Sequence, residues 1–165
     1  MYISSLRLLL VVWICFVPGF AMACTCGTGA SFSAVAPKAP VLAHARVLQH
    51  DKETPNGTFV RMTIEVIDPI RGAAKAEKLI VWGENYGSSC RPYVSSFPVN
   101  SEWLFVIEPE LIPRQNELQL RQFTIGPCGG AYWLKVENGY VYGRIFQADK
   151  NSEMKLAKLM RRFRK

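Results

Sequence analysis

Two cysteines separated by a single residue, Cys24-Thr25-Cys26, constrain this chain more than any other stretch. A disulfide needs Cα atoms about 4.4–6.8 Å apart with facing Cβ vectors, and an i, i+2 pair on an extended chain meets that poorly. Each of the two therefore looks for a distant partner. Cys15 lies in an apolar leader, which leaves Cys90 and Cys128. Residues 1–23 read as a signal peptide: Arg7 supplies the positive charge, Leu8 to Val17 the apolar core, Pro18-Gly19 a break and Ala21-Met22-Ala23 a cleavage site. The apolar run is short of the ~20 residues of a membrane span, so cleavage is expected rather than anchoring. Export places the chain where disulfides persist. Cleavage after Ala23 leaves an even set of four cysteines, open to three connectivities.

Residues 24–165 suffice for one domain with its own core, and no second apolar span follows. The formal net charge is +7, but its location matters more than its size. Between residues 24 and 154, thirteen Lys and Arg balance thirteen Asp and Glu. The excess sits in Lys155, Lys158, Arg161, Arg162, Arg164 and Lys165. A nucleic-acid binder spreads positive charge over a folded face, so no nucleic-acid partner is expected.

Apolar residues alternate with polar ones through most of the chain. Phe32 to Lys38 holds at most a short helical turn, stopped by Pro37 and Pro40. A strand is predicted over Val41 to Gln49, with Val41, Ala43, Ala45 and Val47 on one face and Leu42, His44, Arg46 and Leu48 on the other. Asn56-Gly57 signals a hairpin, because both central positions of a type I′ turn need positive φ. The next strand is Thr58 to Asp68, with Val60, Met62, Ile64 and Val66 inward, Phe59, Arg61, Thr63 and Glu65 outward, and Pro69 at its end. Further strands are predicted over Lys78–Gly83, Glu102–Ile107, Leu118–Ile125, Ala131–Val136 and Tyr140–Ile145, the last two joined by Glu137-Asn138-Gly139. The period changes near the end, where Met154, Ala157 and Met160 share a broad face of an amphipathic basic helix over 152–165. Short, evenly spaced strands and one terminal helix argue a small barrel or sandwich.

Enzyme signatures are missing: the chain has no P-loop, GxSxG or HExxH motif. No catalytic residue, intrinsic metal site or cofactor is expected. His44 and His50 read as a rim histidine and a loop histidine, not zinc ligands. A redox role for Cys-x-Cys would need a thioredoxin-like alternation of strand and helix, which the pattern does not offer. Trp82, Tyr86, Tyr93, Trp103, Tyr132, Trp133, Tyr140 and Tyr142 are candidates for a stacking platform for bases or sugars, although packing explains most of them. Asn56-Gly57-Thr58 is formally a glycosylation sequon, accounted for by its turn. The basic helix is expected to pack its apolar side on the barrel and leave its charges in water. Weak contact of this tail with anionic membranes is the sharper alternative.

A mature chain beginning Cys24-Thr25-Cys26, followed by Val41-Leu42-Ala43-His44-Ala45-Arg46-Val47, by the run Thr63 to Gly72, and by Cys90 and Cys128, resembles the tissue inhibitors of metalloproteinases and the wider netrin-like domains. The similarity spans roughly residues 24–130 and covers the family's amino-terminal domain only. It implies a five-stranded OB-like Greek-key β-barrel with flanking helix, stapled by Cys24–Cys90 and Cys26–Cys128. It also implies an inhibitor, with no enzymatic activity of its own, acting as a monomer on a zinc metalloproteinase. The free α-amine and carbonyl of Cys24 would chelate the target's catalytic zinc, whose open position permits it, and Thr25 would enter the specificity pocket. Residues from Tyr86 to Tyr93 would flank the contact.

The chain departs from the family at Gly27-Thr28, where an apolar residue and proline are usual. The third amino-domain bridge and the cysteine-rich carboxy-terminal domain have no counterpart. The alternative is therefore a netrin-like extracellular or periplasmic interaction module without inhibitory activity. Acylation of Cys24, as in a lipoprotein, would block its amine and leave an odd cysteine, so a plain secreted chain is preferred.

Overall fold

The computed structural model describes residues 30–84, 90–110, 121–126, 129–147 and 152–164. Among the described residues, eight strands form one sheet: β1 (Val41–Glu53), β2 (Phe59–Arg71), β3 (Lys78–Trp82), β4 (Glu102–Pro109), β5 (Gln122–Ile125), β6 (Trp133–Glu137), β7 (Tyr140–Gly143) and β8 (Ser152–Lys155). A short helix, α1 (Phe32–Val35), runs into a 3-10 turn at Ala36–Lys38, and α2 (Leu156–Phe163) follows β8 directly.

The first five strands close into a barrel in the order β1-β2-β3-β5-β4, with β4 returning to β1. All its pairings are antiparallel except β3 with β5. Paired residues lead from Asp51 through Arg61, Trp82 and Thr124 to Glu108, beside the Ile107 that pairs with Val41. One circuit thus returns to the opposite end of β1, the stagger and tilt that closure of few strands requires.

Alternation sorts side chains into two cores. Val41, Ala43, Ala45, Val47, Met62, Ile64, Val66, Trp103, Phe105 and Ile107 fill the barrel. The opposite faces of β1 and β4 supply Leu42, Leu104 and Val106 to a second core with Leu134, Val136 and Val141, covered by Phe32, Ala36 and Leu159 from the helices. Phe32 meets Phe163 edge-on at 6.0 Å, joining the two helices. The apolar side of α2 therefore packs on the sheet, with Leu159 and Met160 buried, while Lys155, Lys158, Arg161, Arg162 and Arg164 stay exposed. A turn between β3 and β4 sends Val94 and Phe97 into the barrel core. No helix among the described residues is long and apolar enough to cross a membrane.

Several expectations are corrected. The predicted helix over 152–165 begins as β8, because Ser152 and Met154 alternate with exposed Glu153 and Lys155 and pair with β7; the helix starts at Leu156. β2 runs through Pro69 to Arg71. Its pairing with β3 ends at Glu65, so Pro69 lies where no β3 residue stands opposite, which suits a residue without an N–H. β1 extends to Glu53, so His50 is a strand residue and not a loop one. Phe59, expected outward, packs against the barrel core, while Val60 joins Ile80 and Trp82 in an outer cluster. Asn138-Gly139 makes the two-residue turn, with φ of 51° and 77°. Asn56-Gly57 does not: only Gly57 has positive φ, because Pro55 fixes the preceding turn position and leaves the left-handed residue to glycine.

Candidate functional site

The residues that the family resemblance singles out divide sharply. Cys24, Thr25, Cys26, Tyr86 and Cys128 lie outside the described residues. Cys90 lies within them, half-buried, at a left-handed φ of 58°. Tyr93 is 45% exposed.

Around Cys90 the chain is tied down closely. β3 ends at Trp82, and Gly83 follows against the returning segment: a Cβ there would stand 2.6 Å from the Pro92 carbonyl oxygen and 2.8 Å from Val94 Cγ1. The Glu84 N–H donates to the Pro92 carbonyl at 2.9 Å. Its carboxylate, almost fully buried, accepts the Arg91 backbone N–H at 3.2 Å. A buried carboxylate is tolerable when it is hydrogen-bonded in this way. Arg91 then reaches outward, its Nη1 standing 3.0 Å from Glu110 Oε2 beyond the end of β4.

Arg91 and Gly126 also share the lining of a cavity of about 330 Å³ with Pro40, Glu108 and Thr124. Gly126 admits no side chain, since a Cβ would lie 2.1 Å from the Tyr132 ring. Burial, then the charge of Glu108, raises the Tyr132 hydroxyl above its ordinary range and keeps it protonated. The cavity thus joins the residue after Cys90 to the residue two before Cys128. Its described polar groups make a packed corner without a nucleophile–base pair.

A second polar cluster was not legible as such. His44 is buried, not at a rim, and its Nε2 lies 3.0 Å from Glu102 Oε2. An ionised carboxylate only accepts, so Nε2 carries the proton. Arg46 Nη2 donates to Glu102 Oε1 at 2.6 Å. Burial pulls His44 below its ordinary pKa, opposed by Glu102. The Arg46 hydrogen bond holds Glu102 below the usual carboxylate range. His44 and Glu102 are 58 residues apart, and only a histidine beside Arg46 on one strand face hinted at the pair. His50 similarly contacts the Phe97 carbonyl through Nε2, at 2.9 Å. Among the described residues, no group of three or more His, Cys, Asp or Glu side chains is placed to hold a metal ion.

No known protein family, curated protein or solved structure matches the chain.

Proposed function

We propose that this chain is a secreted, OB-like Greek-key barrel stapled by Cys24–Cys90 and Cys26–Cys128, which inhibits zinc metalloproteinases in the manner of the tissue inhibitors. One observation carries the proposal. Cys24 and Cys26 are one residue apart, so their partners must lie close together. The neighbouring strands β3 and β5 run parallel, Trp82 beside Thr124, and their C-terminal ends lead to Cys90 and Cys128. Arg91 and Gly126 meeting at one cavity supports neighbouring bridges to Cys90 and Cys128; which of the two each N-terminal cysteine takes is what the family resemblance implies.

The chemistry follows from the new N-terminus. An α-amine with pKa ~7.7–8.0 is readily deprotonated by a metal, and with the Cys24 carbonyl it forms a chelate for the open position of the target's zinc. Thr25 enters the pocket beside it. Two bridges would fix this ridge and lower the entropy cost of binding. The metal belongs to the target. Gly27-Thr28 after the ridge favours a second reading, the same barrel as a netrin-like interaction module that inhibits nothing.

Titration of a panel of zinc metalloproteinases with the processed chain separates the two. Adding one alanine before Cys24 keeps the cysteines but moves the amine from the carbonyl, and inhibition is expected to disappear. Thr25→Gly is expected to keep the chelate, weaken binding and shift selectivity. A parent that inhibits no member favours the interaction module. Equal inhibition by parent and extended chain refutes chelation at Cys24.

A further inference from the structure

The sheet continues past the barrel as β6, β7 and β8, and its two faces differ in kind. Leu134, Val136 and Val141 point into the second core. The opposite face carries Trp133, Lys135 and Glu137 on β6 and, paired across from Lys135 and Glu137, Tyr142 and Tyr140 on β7. Glu153 and Lys155 of β8 pair with those two tyrosines. Trp133, Tyr140 and Tyr142 are only half-buried. Core packing explains Trp82 and Trp103 and accounts for part of Trp133, but Tyr140 and Tyr142 join neither core.

We propose that this face is an oligosaccharide-binding site. Two adjoining hollows of about 670 and 350 Å³ lie along it, within the size range of ligand pockets. They share Trp103 and Lys135, which are paired directly across β4 and β6. The larger runs from Asn100 and Ser101 to the Asn138-Gly139 turn. The smaller lies between Trp133, Tyr142 and Arg144, left open by Gly130, which has nothing within 4 Å of a Cβ position.

Trp103 and Trp133 are fixed before any ligand arrives. Phe97 meets Trp103 at 5.0 Å and Trp133 at 5.3 Å, both edge-on, and Trp103 Nε1 donates to Ser101 Oγ at 2.6 Å. Such preorganisation lowers the cost of binding. The polar groups suit a neutral polyol. Lys135 pairs with Glu137 at 3.0 Å, Glu153 offsets Lys155, and Arg144 is matched by Glu102 in the lining of the larger hollow. A nucleic acid would demand a strongly positive face. A peptide adding as a strand would need unpaired edge backbone; the hollows are lined from β4, β6 and β7, each paired on both sides, and not from the edge strand β8. Flat aromatic faces cover the C–H faces of pyranose rings, and adjacent hydroxyls find ammonium, carboxylate and phenol together. The site uses none of the residues of the inhibitor proposal and does not depend on it.

The test uses the processed full chain with cello-, chito-, malto- and xylo-oligosaccharides of six units, read by tryptophan fluorescence and titration calorimetry. At least one is expected to bind saturably. Tyr142→Ala and Lys135→Ala should each weaken it about tenfold, the worth of one stacked ring or charged hydrogen bond, with unchanged melting. Tyr93→Ala, an exposed ring off this face, should bind as the parent does. Failure of all four sugars, or equal binding by Tyr142→Ala and Lys135→Ala, overturns the proposal. So does tighter binding of a thymidine hexanucleotide or an unstructured peptide.

Discussion

Replacing Phe97 with alanine tests how the barrel is closed. The ring is fully buried although it comes from a turn and not a strand. It meets Trp103, Phe105 and Trp133 at 5.0, 5.3 and 5.3 Å, all edge-on. Truncating a buried phenylalanine costs about 3–5 kcal/mol through lost transfer energy and the cavity left behind. Edge-to-face pairs are worth about 0.5–1.5 kcal/mol beyond their area, so three of them place Phe97→Ala at the upper end. Against a typical total of about 5–15 kcal/mol, the variant should lose a large share of its stability. Phe97→Leu keeps most of the volume and should lose about 1–2 kcal/mol, chiefly the ring contacts. Urea titration reads both as a lower midpoint at unchanged slope, and near-ultraviolet circular dichroism should report the loosened tryptophans. A loss below about 1 kcal/mol for Phe97→Ala, with the slope unchanged, would refute the role of this ring as the plug.

Acid should destabilise the fold in two steps. The folded pKa values of His44 and Glu102 both lie below their ordinary values, so the unfolded chain binds more protons and stability rises with pH. It is full above about pH 6.5, declines as the pH falls toward the folded pKa of His44, and declines again below about pH 4.3 as Glu102 is protonated. His44→Gln should remove the upper step; a parent that gains stability from pH 7 to 5 contradicts the assignment. Gly72→Ala should cost about 1–3 kcal/mol from backbone strain alone, because φ is 72° and a Cβ would stand 2.1 Å from the Pro40 carbonyl oxygen; a melting temperature equal to the parent's would disprove that contact. On α2, Leu159→Ala should cost about 2–5 kcal/mol, whereas Lys158→Glu with Arg161→Glu should leave stability within about 0.5 kcal/mol per site. The parent is expected not to sediment with anionic vesicles at low salt; salt-sensitive sedimentation that this double variant weakens would favour the membrane-contact alternative instead.

The strands were legible because alternation reports burial locally. Val41, Ala43, Ala45 and Val47 mark the barrel face of β1 without knowledge of any partner. Pairing across distance was not legible. Nothing near Trp82 announces Thr124, and nothing near His44 announces Glu102. Met154 fits a strand and a helical stripe equally well, which hid β8 inside the expected helix. Pro69 read as a strand end because its tolerance depends on which neighbour stands opposite. Of the candidate site, the cysteine spacing was visible at once, whereas the Glu84–Arg91–Glu110 tie around Cys90 arises only when the barrel closes.

Closure through β4 has a consequence for how the chain is made. Synthesised from its N-terminus, it delivers β1, β2 and β3 as an open meander. The inner face of Val41, Ala43, Met62 and Ile64 is then bare and both outer edges are unpaired. Edges of that kind invite pairing with other chains. β4 seals β1 and begins the second core only after residue 109, and the edge of β3 waits longer, for β5 and residue 125. Long-range pairing makes that step slow and exposes the intermediate to aggregation. The early half of the molecule is therefore where an assisting chaperone would have to act.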